Sequence, residues 1–327
     1  MVFVSTRLCF RRERALKNER NITSINRNKS SEHILMEKNP TFSSKVKAPV
    51  SVIILTLNEE ANIEYCLRSV YGWSDDIHVI DSFSKDNTAR LAAKYTKNIY
   101  EVREAHWADL RNWAMRNLPL KYEWVLFLDA DERLTDELKK EISETLKSNP
   151  EENGFYIKRR FIFLGRWLKH GGMYGKVLRL FRHKFAEYIA EGDVEYAKVK
   201  GKVGLMKYDI IHEDRKGISS WIEKHNRISD RAAKQYLTGR TSLLKEQDKD
   251  SEIEGGRRTW IKYTFWEKIP LILRPFVTFL YQYVFMLGFL DGLEGLIYHL
   301  LQGFWYRLLI YIKVREFQIK STLSARV

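Results

Sequence analysis

The chain has 327 residues, of which 44% are hydrophobic and 30% charged, and its formal net charge is +14. This length accommodates one large domain or a domain with an appendage, and the composition excludes a fibrous or wholly disordered protein. Two cysteines, Cys9 and Cys66, exclude a secreted fold held together by several disulfides.

The positive charge is concentrated at the two ends of the chain, with a net charge of +7 in residues 1–47 and +6 in residues 256–327. We predict that residues 1–47 are a disordered basic leader, because they are polar and lack hydrophobic periodicity. They contain no apolar core of a secretory signal. A translation start at Met36, which would remove most of this leader, is the alternative.

From residue 50 to residue 148, short apolar runs alternate with amphipathic segments. The runs "VSVIILTL", "DDIHVIDSF", "NIYEVR" and "EWVLFLDAD" predict four strands, each followed by a turn and a helix. We expect Asn58 to cap the first of these helices and Thr135 to cap the last. The alternation predicts an α/β fold with a mostly parallel sheet and flanking helices.

The pattern becomes more β-like after Asn153. "GFYIKRRFIF", "KVLRLFR" and "VKGKVGLMKYDIIH" predict further strands, and a polar helix is expected over 217–236. We place the boundaries of this α/β domain at residues 48–237 and interpret residues 238–258 as a linker.

The last segment, residues 259–327, combines basic residues with long apolar, aromatic runs. Sixteen uncharged residues lie between Arg274 and Asp291, which as a helix would span roughly 24 Å at about 1.5 Å per residue. That is shorter than the ~30 Å hydrocarbon core of a bilayer. We therefore expect interfacial or re-entrant helices at a membrane surface, with a helical hairpin packed on the domain as the alternative.

Two carboxylates end the strand "EWVLFLDAD". Asp129 and Asp131 point the same way if the strand continues, and two ionised carboxylates so placed repel unless a cation or a shared proton lies between them. Mg²⁺ takes one or two carboxylates together with substrate phosphates. The pair therefore predicts a metal–diphosphate site at the carboxyl end of the sheet, where ligands of such sheets bind.

Other polar residues are predicted at the same edge. Asp81 could accept hydrogen bonds from a ribose or base, or merely cap a turn. Arg111 could neutralise a phosphate, or lie on a solvated helix face. Asp86 is expected to cap a helix.

Four segments in this order and spacing carry a resemblance to a known family: "VIILTLNEEANIEYCLRSV", "VIDSFSKDNTARLA", "ADLRNWA" and "WVLFLDADERL". Together they resemble family 2 glycosyltransferases of the GT-A fold, in the bacterial lipopolysaccharide-core β-glucosyltransferase-like branch. The match runs from about Val50 to Gly204 and more weakly to His212. The resemblance implies inverting transfer of a sugar from a nucleotide-sugar donor to a hydroxyl group.

The resemblance also implies residue roles. Thr56, Asn58 and Glu59 would line the nucleoside pocket, and Asp81 would contact the base or ribose. Arg111 would face the diphosphate.

For the metal, the resemblance implies that Asp129 and Asp131 hold the ribose and Mg²⁺ or Mn²⁺, with His212 as a further ligand. The alternative for His212 is a buried histidine at a strand end.

An inverting transfer needs a general base beside the acceptor hydroxyl and charge stabilisation of the leaving diphosphate. We predict Glu195 as the base, with Asp193 and Glu191 as alternates. The related branch usually has a His-Glu pair at this place, whereas this chain has Val194 and Glu195.

The resulting hypothesis is a metal-assisted glycosyltransferase on the cytoplasmic face of the inner membrane. It would transfer a sugar from a UDP-hexose to a lipid-linked glycan or lipopolysaccharide-core acceptor. Rival hypotheses are a polyprenyl-phosphate glycosyltransferase, a sugar nucleotidyltransferase and a basic nucleic-acid-binding module. The last would require aromatic residues interleaved with Lys and Arg on an exposed surface.

Overall fold

The computed structural model describes residues 47–104, 106–191, 194–238 and 269–324. All of these belong to one compact unit, Ser43–Val327. The predicted leader up to residue 46 and the predicted linker from residue 239 lie outside the described residues, so both domain boundaries stay predictions.

Strands and helices alternate through the first half, as the sequence pattern predicts. The elements are β1 (Ser51–Thr56), α1 (Ile63–Val70), β2 (Ile77–Asp81), α2 (Thr88–Ala92), β3 (Asn98–Glu101), α3 (Trp107–Asn117), β4 (Trp124–Asp129), β5 (Glu132–Leu134) and α4 (Asp136–Lys147). Every residue of β1 and β2 is buried, which explains why their sequences are apolar without alternation. The Thr135 side chain accepts a hydrogen bond from the Leu138 backbone N–H and caps α4, as predicted.

One predicted cap is wrong. Helix α1 begins at Ile63, and Asn58 lies four residues before the N-cap, with a left-handed φ of 55°. The Asn58 side chain instead accepts a hydrogen bond from the Lys85 backbone N–H in the loop after β2. Asparagine tolerates this backbone conformation better than most residues, which suits it to a loop.

The second half adds strands to the same sheet and one separate hairpin. Its elements are β6 (Gly154–Phe163), β7 (Arg166–Leu168), β8 (Lys176–Arg182), β9 (Ala186–Glu191), β10 (Val194–Val199), β11 (Val203–His212) and α5 (Gly217–Leu237). The large sheet has the order β3-β2-β1-β4-β8-β6-β11-β5, with β7 also paired to β6. Strands β1 to β4 pair in parallel, whereas β8 runs antiparallel to both β4 and β6.

The antiparallel insertion of β8 positions the candidate site. Because β8 runs opposite to β4, the first residues of β8 and the last residues of β6 lie at the edge where β1, β2 and β4 end. Hairpin β9–β10 packs with α3 over the same face of the sheet, in a core cluster that includes Phe127, Phe181 and Tyr188. Residues from both halves of the chain therefore lie at the sheet edge where β1, β2 and β4 end.

The C-terminal segment consists of short, bent helices. They are α6 (Arg274–Leu280), a π-helix (Tyr281–Phe285), a 3₁₀ helix (Gly288–Asp291), α7 (Gly292–Tyr298), a second π-helix (His299–Trp305) and α8 (Tyr306–Ser324). Within the described ranges, no helix alone has the length and apolar character needed to cross a bilayer. Arg274–Phe285 and Gly288–Leu323, bent by 72°, meet those criteria only as a pair.

These helices pack on the α/β domain through two apolar clusters. Tyr298 packs on Phe163 and Leu168, and α8 packs on Ala233 of α5. Their outer surface keeps large apolar side chains in solvent, including Phe285 at 75% and Leu293 at 65% exposure. The segment is thus anchored on the domain by one side and apolar on the other.

Candidate active site

The carboxyl ends of β1 and β2 are closed by hydrogen bonds within the protein. The Thr56 hydroxyl donates to Oδ1 of Asp81 at 2.8 Å, and the Ser84 backbone N–H donates to Oδ2 at 2.9 Å. Both Thr56 and Asp81 are 1% exposed. Asp81 thus shapes the loop after β2 in this structure, and its predicted contact with a base or ribose would require that loop to open.

The loops after β1 and β2 are tied to each other and to the segment after β11. The Glu59 backbone N–H donates to the Thr88 hydroxyl at 2.7 Å, and the Asn58 backbone N–H donates to the Ser84 hydroxyl at 2.8 Å. The Glu59 carboxylate accepts from Lys216 at 2.6 Å. Burial raises the pKa of Glu59, although its hydrogen bonds act in the opposite direction. Of these residues, Asn58 and Glu59 are the ones predicted to line the nucleoside pocket.

A second, ionic cluster lies at the end of β4. Oδ1 of Asp129 accepts from Arg111 of α3 at 2.8 Å, and Oδ2 accepts from Arg179 of β8. Burial alone would raise the pKa of Asp129, but the Arg179 and Arg111 guanidinium groups lower it well below the usual range. Asp129 is therefore ionised and paired on both oxygens.

Glu132 extends this cluster beneath the sheet edge. Its side chain is fully buried, and it accepts hydrogen bonds from the Asp129 backbone N–H at 3.0 Å and from Arg179 at 3.1 Å. Arg159 lies 3.8 Å from the same carboxylate. Burial raises the pKa of Glu132, and Arg179 offsets only part of that effect.

Asp131 belongs to a different pair. Strand β4 ends at Asp129, so Asp131 lies in the turn before β5, and its Oδ1 is 3.4 Å from Nδ1 of His212 at the end of β11. Burial opposes the charge on both groups; nevertheless His212 lowers the pKa of Asp131, and Asp131 raises the pKa of His212. Both facing atoms are buried without a hydrogen-bond partner among the described residues.

The predicted three-residue metal set is not assembled. Across the described part of the chain, no group of three His, Cys, Asp or Glu side chains is arranged to hold a metal ion. The physical reason is that both oxygens of Asp129 are occupied by arginines, whereas Asp131 and His212 face one another. Asp131 and His212 fit a divalent cation, because each presents a buried donor atom with unused hydrogen-bonding capacity.

Glu195 lies within reach of the ionic cluster although it belongs to the separate hairpin. Its Oε1 accepts from the Trp107 backbone N–H, at the first residue of α3, at 2.9 Å. Its Oε2 is 3.3 Å from Arg111, the residue that also holds Asp129. The N-terminus of α3 and Arg111 therefore hold the Glu195 carboxylate in a fixed orientation. Of the alternates, Asp193 and the side chain of Glu191 lie outside the described residues.

Most of these residues were predicted from the sequence to lie at one sheet edge, but Arg179 and Glu132 were not. Arg179 lies in the apolar run "KVLRLFR", and Glu132 directly follows the predicted acid pair. A buried arginine inside a strand is costly unless it is paired, so the run itself was a signal that an acid faces it. Which acid it faces depends on the pairing of β8 with β4, which is long-range.

The chain is similar to known glycosyltransferases, both in its family-model match and in relatives that it matches over most of their length. Residues 51–192 match the family model "Glycosyl transferase family 2". The chain is 25% identical to an uncharacterized glycosyltransferase of Rickettsia typhi, over 83% of this chain and 88% of the relative. It is 26% identical to the lipopolysaccharide core biosynthesis glycosyltransferase LpsC of Rhizobium meliloti, over 77% of this chain and 89% of the relative.

Among solved structures, S. aureus TarS is similar with a TM-score of 0.42 and 15% identity, covering 81% of this chain and 55% of that one. The family match agrees with the predicted GT-A fold and with the placement of polar residues at the carboxyl edge of β1, β2 and β4. Residues 51–192 thus resemble a family 2 glycosyltransferase domain, and together with the named relatives this match indicates that the protein is a glycosyltransferase.

Proposed function

We propose that the protein transfers a hexose from a UDP-hexose to a hydroxyl group of a lipid-linked glycan or lipopolysaccharide-core acceptor, with inversion. The observation that carries this proposal is the continuous chain of contacts from Glu195 through Arg111 to Asp129. These contacts join the predicted base to Asp129, the predicted binding residue of the nucleotide-sugar donor, at the boundary of the region that matches the family 2 model. The similarity to LpsC, named for lipopolysaccharide core biosynthesis, supports the acceptor class.

Charge balance supports a metal-assisted reaction. In the ionic cluster three arginines (Arg111, Arg159 and Arg179) lie beside three carboxylates (Asp129, Glu132 and Glu195). Lys216 is likewise paired with Glu59. An arriving diphosphate adds negative charge that these balanced groups do not offset. Mg²⁺ or Mn²⁺ held by Asp131 and His212 would supply the missing positive charge to the leaving diphosphate.

Glu195 is the group we assign to the acceptor proton. In an inverting transfer the acceptor oxygen bonds to the anomeric carbon, the bond to the diphosphate breaks, and a base takes the hydroxyl proton. Arg111 and the start of α3 orient the Glu195 carboxylate while leaving lone pairs free for that proton. Arg111 in turn fixes the base relative to Asp129 at the donor edge.

The C-terminal helices support a location at the cytoplasmic face of the inner membrane. Twelve large apolar side chains of the segment 272–293 are exposed, from 38% for Met286 to 75% for Phe285. An apolar face of this kind with a basic chain end suits an anionic bilayer surface, where lipid-linked acceptors lie. Flotation with liposomes containing anionic lipid tests this part, with Phe285→Ser plus Leu293→Ser expected to reduce binding.

The donor and metal are tested together by thermal unfolding. The protein is titrated with UDP-glucose and other nucleotide sugars, with and without Mn²⁺. We expect one donor to raise the Tm only when Mn²⁺ is present, and Asp131→Ala to remove that increase. Asp136→Ala, which changes an exposed acid of the next helix, is the matched control. Stabilisation by Mn²⁺ and donor that survives Asp131→Ala would refute the assigned metal role.

A further inference from the structure

A basic and aromatic surface of strands β6 to β8 is not used by the proposed chemistry. It comprises six residues, which we call the basic–aromatic platform: Lys158, Arg160, Trp167, Lys169, Tyr174 and Lys176. We infer that this platform binds an anionic group, a phosphate or a carboxylate, on the acceptor glycan. The inference rests on the proposed function and adds the chemical character of the acceptor.

The platform faces the same side of the sheet as the predicted base. Lys158 lies directly opposite Lys176 across the β6–β8 pair, and Tyr156 lies opposite Leu178. Residues opposite one another share a face, as do residues two apart on a regular strand. Leu178 packs on the core cluster formed by α3 and the β9–β10 hairpin, so the two lysines project on the face that carries Arg111 and Glu195.

The platform also lies at the correct end of the sheet. Leu126 of β4 pairs with Leu180 of β8, and the antiparallel register brings earlier β8 residues toward the end of β4 at Asp129. Arg179 contacts Asp129 directly. Lys176 is three residues beyond Arg179, which is about 10 Å at ~3.4 Å per residue. That distance suits a substituent one or two sugar units from the reacting hydroxyl.

Three of the four cationic side chains of the platform are not neutralised, whereas Arg160 pairs with Asp209. Among the described residues, Lys158, Lys169 and Lys176 form no ion pair with any acid. Their ammonium groups lie over aromatic rings instead, at 5.5 Å from Tyr174, 4.5 Å from Trp167 and 5.2 Å from Tyr156.

The acid nearest to these groups along the strands is already engaged. Asp209, directly across from Lys158 on β11, accepts from the Tyr174 hydroxyl at 2.5 Å and from Arg160 at 3.3 Å. Its charge is therefore not free to balance the three lysines.

This arrangement matches a charged sugar. The rings hold the ammonium groups in place through cation–π contact, so less side-chain entropy is lost when an anion binds. Charge-assisted hydrogen bonds to phosphate or carboxylate oxygens are stronger than those to neutral hydroxyls. A neutral acceptor would gain only the weaker hydrogen bonds from three unneutralised ammonium groups to its hydroxyls. An acceptor with a phosphate or carboxylate near the receiving hydroxyl would use them directly.

The test measures oligosaccharide binding by calorimetry in the absence of donor. The probes are maltotriose, trigalacturonate and maltotriose monophosphate, at low ionic strength. We expect at least one anionic probe to bind about tenfold more tightly than maltotriose, and the stronger of the two identifies carboxylate or phosphate. Lys158→Gln with Lys176→Gln should remove most of that preference and leave UDP-hexose binding and the Tm unchanged.

The matched control is Lys121→Gln with Lys140→Gln, which removes two exposed lysines far from the platform, one before β4 and one on α4. It should keep the full preference for the anionic probe. Equal binding of all three probes, no binding of any, or an unchanged preference in the Lys158/Lys176 variant would overturn the inference. Because UDP-hexose is titrated separately, these outcomes are distinct from failure of the proposed function.

Discussion

The two ends of the candidate site are built on different physical principles. At the ends of β1 and β2, Asp81 is satisfied by neutral hydroxyl and backbone donors and is sealed from solvent. At the end of β4, Asp129 is held by two arginines and remains about one-third exposed. Hydrogen bonds to neutral donors fix the shape of a loop, whereas ion pairs can exchange their partner for an incoming anion.

This difference predicts different consequences of mutation at the two ends of the site. Removing a hydrogen bond at the β1–β2 end should loosen a loop. Removing a charge at the β4–β8 end should leave another buried charge unpaired, which is more costly.

The largest effect is expected at the hairpin side of the ionic cluster. Glu195→Gln keeps the shape of the side chain but removes the basic carboxylate, so the rate of transfer to a hydroxyl acceptor should fall about 10² to 10⁴-fold. Initial rates of UDP release check this. Glu187→Gln, an exposed acid on the same hairpin, should keep the rate. Retained turnover in Glu195→Gln, with polyprenyl phosphate as acceptor, would favour the phosphate-acceptor alternative.

Arg179→Met should be the most destabilising single change. It leaves Asp129 with one arginine and buried Glu132 with only the more distant Arg159, so we expect a loss of about 3–5 kcal/mol in the free energy of unfolding. Urea denaturation measures this loss.

Arg182→Met, on the same strand, provides the comparison for Arg179→Met. Its acidic partner Glu123 is about half exposed and its other acceptors, Asn149 and the Pro150 carbonyl, are neutral, so no buried charge is left unpaired and the expected loss is smaller, about 1–2 kcal/mol. Adding Glu132→Gln to Arg179→Met should restore part of the stability. Similar losses for the two arginines would mean that the cluster is not energetically distinct from the surface.

Asp81→Asn should have an intermediate effect at the other end of the site. The amide would place its NH₂ group against the Thr56 hydroxyl or the Ser84 backbone N–H, both of which donate hydrogen bonds to Asp81. We expect a loss of about 1–3 kcal/mol in the free energy of unfolding. The affinity for the nucleotide-sugar donor should fall together with this stability. Ser84→Ala separates the two explanations: a parallel fall in affinity supports action through the loop, whereas unchanged affinity supports the predicted direct contact.

The smallest effect is a pH dependence of the loops after β1 and β2. Burial opposes ionisation of Asp86, but hydrogen bonds from Thr88 and from the Glu60 backbone N–H lower the pKa of Asp86 overall. A lowered folded-state pKa contributes stability above the unfolded value of about 3.9, and that contribution is lost as the pH falls below it. The protection factor of the Glu60 amide against hydrogen exchange should therefore fall as the pH drops below about 4, and Asp86→Asn should abolish that dependence.

Local patterns predicted the first half of the fold well. The buried runs of β1, β2 and β4 and the cap at Thr135 depend on short-range chemistry, and the structure confirms them. The Asn58 cap failed because a helix start was inferred from the residue type alone, although a loop can use the same side chain.

The ionic partners required information that no local window contains. Asp129 and Asp131 were expected to point together, but the strand ends between them and each finds a partner far along the chain. Arg179 is 50 residues from Asp129, and His212 is 81 residues from Asp131. The convergence of acids on one edge was predictable from parallel-strand topology. Their partners Arg179 and His212 were set by the pairing of β8 with β4 and of β11 with β5 and β6.

The register irregularity in β8 has a consequence for protein engineering and for sequence alignment. Phe155 and Tyr156 of β6 are neighbours, yet they pair with Leu180 and Leu178, so Arg179 is the extra residue of a β-bulge. Deleting Arg179 would make Leu178 and Leu180 neighbours in a regular ribbon with the same pairing, and it would remove the arginine that pairs with Asp129 and Glu132. An alignment that assumes regular alternation along β8 would miss this extra residue and match Arg179 to a leucine.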